Sequence, residues 1–213
     1  MFTIAIIKGL INVNDLLLQV YSIGLISLFL VLIFYMQTTS KQYDAAISQC
    51  KDIFLKKMKD YGTAWRNLRP TSLTDQIFIK AQRVKSIEEK GTQKIVDEIK
   101  GEYIGSINEG IIALIQLELV NDTRVDLPYD EVANLYIKYA GQTKQLMEDK
   151  NHDYGEAWRD MRLSSLTDLI LMKVFRVKQI EDNKGQTIIS EGVDANYMDM
   201  INYSVFALIK LAK

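Results

Sequence analysis

Apolar residues fall along this chain in long helical runs, and no stretch alternates apolar and polar residues long enough to argue a strand. From Leu16 to Ser40 there is no charged residue, and Leu16 to Met36 is almost wholly apolar. About 20 such residues suffice to cross a bilayer as a helix. A first amphipathic helix is then expected over about Ser40–Lys59, broken at Asp60-Tyr61-Gly62 because Gly turns cheaply. A second is expected from Ser72 to about Lys90, ended by Gly91, and a third from about Tyr103 to Leu119. The same three recur over about Tyr129–Lys150, from Ser165 to about Lys184 before Gly185, and over Asn196–Ala212. Pro128 with Asp130 and Glu131 supplies the signals expected near a helix start. Ser72-Leu-Thr-Asp75 and Ser165-Leu-Thr-Asp168 fit the capping-box pattern, which accounts for Asp75 and Asp168 without function.

The recurrence is a duplication. Asp60–Glu88 aligns with Asp153–Glu181 at an offset of 93 residues, with 18 of 29 positions identical and no gap. After one inserted residue the match resumes, Tyr103 against Tyr197 through Leu117 against Leu211. So long a period is that of a duplicated small domain, not a solenoid repeat. The segment from Asn121 to Leu127 is the one plausible linker, and its shortness makes the copies pack together. The expected fold is all-α: tandem three-helix modules in one pseudo-symmetric bundle behind an N-terminal hydrophobic helix. The expected boundaries are 1–37 for the hydrophobic segment, 38–120 for the first repeat and 121–213 for the second.

Residues 1–37 admit two readings. As a transmembrane anchor they are preceded by Lys8 and Asp15 and followed by Lys41, Lys51, Lys56, Lys57 and Lys59. The positive-inside rule then leaves a soluble domain in the cytoplasm, held at the inner membrane by residues 16–36. No small-residue cleavage site argues for a signal peptide. Alternatively translation starts at Met36 and everything upstream is leader from a misplaced start codon; a membrane partner follows only from the first reading. Net charge is −1, which gives no nucleic-acid footprint. The single cysteine, Cys50, excludes an intramolecular disulfide and a Cys-rich zinc site, and reads as a small core residue. The single histidine, His152, excludes a two-His metal motif and reads as a loop residue.

Charge inside an apolar helix is where chemistry is sought. Leu169, Ile170, Leu171, Met172, Val174, Phe175, Val177 and Ile180 surround Lys173 and Arg176, which are three apart on one face. The first copy repeats them as Lys80 and Arg83, with Lys80 inside the apolar arc between Val84 and Ile87. A buried cation needs an anion, either a carboxylate such as Asp194 or Asp199 or a bound phosphate. Tyr61, Trp65, Tyr154 and Trp158 either stack a base or plug the core. Arg66, Arg69, Arg159 and Arg162 flank them, so that base and phosphate partners surround each Asp-Tyr-Gly turn. Acids cluster in the second copy alone, as Glu181, Asp182, Glu191, Asp194 and Asp199. Asp199 and Asn202 share a helix face with Tyr203 one turn on, and such oxygen ligands could hold Mg²⁺. The first copy has Lys100, Gly105 and Glu109 at the positions of Asp194, Asp199 and Tyr203, and keeps only Asn108 for Asn202.

These residues resemble the nucleotide modification associated domain 1 family. Its pattern is Lys-x-x-Asp-Tyr-Gly, a Lys-x-x-Arg helix, and an acidic turn leading to Asp-x-x-Asn-Tyr. Lys150, Asp153, Tyr154 and Gly155 match the first part, Lys173 and Arg176 the second, and Glu191, Asp194, Asp199, Asn202 and Tyr203 the third. The tandem arrangement, with Ala-Trp-Arg after each turn, resembles the Bacteroidetes-type members, and the likeness covers about Gln42 to Lys213. It implies nucleotide handling in a nucleotide or DNA modification system. It also implies a distant similarity to MazG-like all-α NTP pyrophosphohydrolases, which use Mg²⁺ held by helix carboxylates. On that reading Lys173, Arg176 and Asp199 are catalytic, and Glu191, Asp194 and Asp199 hold the metal. Asp153, Tyr154, Trp158, Arg159, Arg162, Asn202 and Tyr203 bind nucleotide, with Lys80 and Arg83. Met172 and Ala195 depart from the pattern where many members carry an acid. The competing expectations are a non-catalytic nucleotide or nucleic-acid binding module and a purely structural helical protein. A nucleotide or other phosphate-bearing small molecule is the expected partner, with a homodimer also open.

Overall fold

A computed structural model describes residues 13–94, 98–189 and 191–212, without the side chains of 13–16 and 28–38. Among the described residues the ordered elements are all helical. The long helices are α1 (Val13–Tyr61), α2 (Pro70–Lys90), α3 (Ile99–Glu118), α4 (Tyr129–Tyr154), α5 (Leu163–Asp182) and α6 (Val193–Leu211). Short 3₁₀ turns, Ala64–Asn67 and Ala157–Arg159, follow α1 and α4.

The chain divides into two compact units, residues 1–41 and 42–213. In the first, Leu17, Leu18, Val20, Tyr21, Ile23, Leu25 and Ile26 are exposed along α1. The expected transmembrane helix is corrected here: no helix among the described residues is long and apolar enough to cross a membrane. Gln19, Ser22 and Ser27 interrupt the described apolar stretch. Lys8 and the rest of 1–12 lie outside the described residues, as does the Met36 side chain.

Both repeats lie within the second unit. The apolar third helices α3 and α6 form its centre, packed on each other and on α2 and α5 respectively, while α2 and α5 also meet. α3 and α6 are apolar nearly all round because helices enclose them on several sides. Each first helix ends at its Asp-Tyr-Gly turn, where Gly62 and Gly155 take left-handed backbone at φ of 62° and 59°.

Two expectations about local structure are corrected. α2 and α5 begin two residues before the serines, with Arg69 and Arg162 as N-caps in extended backbone and no side-chain cap. Pro70 takes the first helical position, where its missing N–H costs nothing. Asp75 and Asp168 are therefore not caps. Asp75 takes Lys178 at 2.6 Å and Asp168 takes Lys85 at 2.9 Å, each from the other repeat. His152 sits in the last turn of α4, not in a loop. Cys50 is fully buried in the core.

The repeats exchange contacts in matching pairs. Tyr43 donates to Asn202 Oδ1 at 2.8 Å, and Asn202 Nδ2 donates to the Thr143 carbonyl at 3.2 Å. The counterpart set is Tyr136 to Asn108 Oδ1 at 2.8 Å and Asn108 Nδ2 to the Cys50 carbonyl at 3.1 Å. Thr74 lies 2.7 Å from the Tyr197 hydroxyl and donates to Glu181 at 2.8 Å. Its counterpart Thr167 lies 2.8 Å from the Tyr103 hydroxyl and donates to Glu88 at 3.3 Å.

Candidate functional site

Between α4, α5, α6 and the segment preceding α6 lies a cavity of about 1070 Å³. Lys150 enters it from α4, Lys173 and Arg176 from α5, and Asn196, Asp199, Asn202 and Tyr203 from α6. The α5 pair faces inward together because three residues is close to one helical turn. Asn196, Asp199, Asn202 and Tyr203 share one stripe of α6 for the same reason. Tyr154, Trp158, Ile188, Ile189 and Glu191 also line it.

Asp199 is the electrostatic hub. It is 3% exposed, and its two carboxylate oxygens are each occupied: Oδ1 by Lys150 Nζ at 2.5 Å, Oδ2 by Lys173 Nζ at 2.6 Å. A buried carboxylate held by two ammonium groups satisfies the requirement that buried charge be paired. Burial alone would lower the Lys150 pKa, but the bond and charge of Asp199 outweigh it and hold the ammonium above its ordinary value. Burial, then the Asp199 charge, pushes the Tyr203 hydroxyl up. Glu191 stands 3.9 Å from Lys173 with its side chain mostly exposed. Arg176 is exposed and has no hydrogen-bond or ion-pair partner among the described residues. The charged lining thus comprises Lys150, Lys173 and Arg176 against Glu191 and Asp199, an excess of one positive charge.

Two atoms of lining residues are closed off from solvent and lack a protein hydrogen-bond partner: Trp158 Nε1, a donor, and Asn196 Oδ1, an acceptor. The Asn196 amide is oriented by its Nδ2 donating to the Gly192 carbonyl at 2.8 Å. Unpaired buried polar atoms cost free energy. Trp158 offers only its edge. One face stacks on Phe206 at 4.3 Å and the other lies under the Arg159 guanidinium at 4.4 Å. Tyr154, 72% exposed at the rim, has the free ring.

Lys173, Arg176, Asp199, Tyr154, Trp158, Asn202, Tyr203 and Glu191 therefore share one cavity. Asp153, Arg159, Arg162 and Asp194 do not line it. Asp153 is exposed and 3.1 Å from His152, Arg159 is bound to Glu156 and Gln42, and Arg162 starts α5. Lys80 and Arg83 belong to the first repeat, where Glu109 takes Lys80 at 2.5 Å and Glu102 takes Arg83. Asn202 lines the cavity, but its amide is bound to Tyr43 and Thr143. Asp194 is exposed in the first turn of α6, apart from Asp199, so Glu191, Asp194 and Asp199 are not gathered. Among the described residues no group of three His, Cys, Asp or Glu side chains is placed to hold a metal ion.

Lys150 and Asn196 are the residues that sequence reasoning underweighted. Lys150 had a signal, since Lys57 repeats it three residues before the other Asp-Tyr-Gly. Asn196 had none, because Glu102 replaces it in the first copy.

Searches of curated proteins and of solved structures find no match to the chain. The family model described as nucleotide modification associated domain 1 matches residues 57–117 and again residues 150–211. The second match takes in Lys150, Lys173, Arg176 and Asp199, and the first the residues at the corresponding positions. With more than half of its length matched, the chain belongs to the nucleotide modification associated domain 1 family and carries that domain twice.

Proposed function

We propose that the second repeat's cavity binds the phosphate-bearing part of a nucleotide within a nucleotide modification system. The observation that supports this most directly is Arg176, a guanidinium without an anion at a cavity whose other cations are anchored by Asp199. A planar guanidinium suits phosphate oxygens, and the two ammonium groups behind it add attraction without having to be reorganised. Tyr154, exposed at the rim, supplies a ring for the base.

Binding fits these residues better than Mg²⁺-dependent hydrolysis does. Both oxygens of Asp199 are bound to lysines, and Asp194 is outside the cavity, so the carboxylates present do not fit the metal that a pyrophosphohydrolase would use. No hydrolytic step is assigned to them.

The test is a thermal-shift and product-release assay with a panel of deoxynucleoside triphosphates, with and without Mg²⁺. Stabilisation without turnover is expected, because a ligand that binds only the folded state raises the melting temperature. Arg176→Ala is expected to weaken binding about tenfold, the loss of one charge-assisted contact. Turnover that needs Mg²⁺ and disappears in Asp199→Ala would instead establish a hydrolase. No stabilisation by any nucleotide would sink the proposal.

A further inference from the structure

The first repeat has a cavity of its own, about 950 Å³, lined by α3 where the second is lined by α6. Lys57, Tyr61 and Trp65 line it at the positions matching Lys150, Tyr154 and Trp158. Two changes alter what these three residues offer.

The first is in charge. Gly105 stands in place of Asp199, and the Lys80 side chain lies so closely over it that a Cβ there would collide with Lys80 Cε. Lys80 pairs instead with Glu109, one turn further along α3, at 2.5 Å. Lys57 thus lacks the carboxylate that its counterpart Lys150 binds. Its charge acts on Glu109 through space, but among the described residues it makes no hydrogen bond or ion pair, and neither does Lys100. Glu102 is taken by Arg83. Of the charges lining the cavity, Lys57 and Lys100 then stand against Glu98 alone, which leaves one positive charge to spare.

The second change is in the ring. Trp158 is 6% exposed, with Phe206 on one face and the Arg159 guanidinium on the other. Ile112 and Arg66 stand at the positions of Phe206 and Arg159. Arg66 binds Gln116 and the Asp122 and Arg124 carbonyls instead of the indole. Trp65 is half-buried, and among the described residues no aromatic ring or cation covers it. Tyr61 is 57% exposed. Ile53, Phe54, Met58, Leu68, Ile104 and Ile112 give the cavity apolar walls. Lys57 and Tyr61 are four apart on α1 and so share one face of it.

An uncovered ring and a spare ammonium in one apolar cavity suit a ligand with both a flat apolar part and an anion. More than one anionic group would meet the repulsion of Glu98, Glu102 and Glu109 in the same lining. We propose that the first repeat's cavity is a second ligand site, for an aromatic ring bearing a single anionic group, with the ring against Tyr61 and Trp65 and the anion on Lys57.

The chain has two tryptophans, one at each cavity, so fluorine resonances of the full chain labelled with 5-fluorotryptophan report the two sites separately. Trp65→Phe assigns them. A nucleoside monophosphate and an aromatic carboxylic acid share the proposed chemistry, so deoxyadenosine monophosphate and indole-3-acetate are the probes. Deoxyadenosine, indole and inorganic phosphate are the controls. At least one probe is expected to move the Trp65 resonance saturably, and which one does so identifies the source. Its uncharged counterpart and phosphate alone should bind at least tenfold more weakly. Lys57 is exposed, so Lys57→Met leaves the fold intact and should weaken the probe about tenfold, the loss of one charge-assisted contact. Lys57→Arg should restore it. The proposal is overturned if neither probe moves Trp65, if the uncharged ring or phosphate alone binds as tightly as the probe, or if Lys57→Met binds as well as the wild type. The Trp158 resonance follows the second cavity, so failure here and failure of the nucleotide reading are distinguishable.

Discussion

At the scale of single residues, the buried hydroxyl chains lead to an expected pH dependence of stability. Tyr197, Thr74 and Glu181 form one chain, and Tyr103, Thr167 and Glu88 its counterpart. Burial raises both glutamate pKa values above 4.5, and the threonine hydrogen bond offsets only part of the shift. A carboxyl whose folded pKa is raised binds its proton more tightly when folded. Its contribution is complete below about pH 4.5 and is lost as pH rises through the folded pKa. Glu181→Gln keeps an oxygen to accept from Thr74 and cannot ionise. It should raise the melting temperature at pH 7–8 by about 2 °C, a gain kept small by solvent screening at a half-exposed group. Below pH 4.5 that gain should vanish. A melting-temperature profile from pH 4 to 8 checks this, and a gain that persists at pH 4 contradicts it.

At the scale of elements, α3 and α6 cross closely at Gly110. A Cβ added at Gly110 would come within 2.7 Å of Ile201 Cγ1, an atom next to the β-branch with little freedom to retreat. Gly110→Ala therefore overpacks the crossing by about 1–3 kcal/mol, more than the helix gains from losing a glycine, about 0.5–1 kcal/mol. Net destabilisation of about 1 kcal/mol is expected in urea unfolding; unchanged or greater stability would mean that the two helices part freely. The apolar patterns of α3 and α6 made both helices legible, and the glycine of each Asp-Tyr-Gly turn made the ends of α1 and α4 legible. The starts of α2 and α5 were not. Serine and aspartate at capping-box spacing also occur inside a first turn, and Pro70 and Leu163 begin those helices two residues earlier. The aspartates face lysines of the other repeat, a contact that no local pattern encodes. The cation pair within α5 was legible as a demand for an anion, and Asp199 meets it for Lys173. The first copy could not be read by analogy. Once Gly105 removes the carboxylate, Glu109 supplies it from a neighbouring turn, a substitution visible only in three dimensions.

At the scale of the whole molecule, a repeat in the sequence says which residues correspond, not which copy each one touches. The structure answers by exchange: Tyr43 reaches Asn202, Tyr136 reaches Asn108, and both threonine chains and both Lys–Asp pairs join one repeat to the other. α3 and α6, the most apolar helices of the two repeats, are each other's cover. A single repeat would expose that helix to water and leave Tyr43 or Tyr136 without its partner, losses of the kind that a small domain cannot absorb. Arg66 reinforces the join, its guanidinium bound to the Asp122 and Arg124 carbonyls and so fixing the linker against the first repeat. Residues 42–120 and residues 121–213, expressed separately, should each give poorly dispersed amide spectra and no cooperative unfolding as monomers. Mixed in equal amounts, they should regain dispersion and a cooperative transition whose midpoint rises with concentration, as association-coupled folding requires. Cooperative unfolding of either half alone at a concentration-independent midpoint would show that the exchanged contacts are dispensable, and that each copy is a domain in its own right.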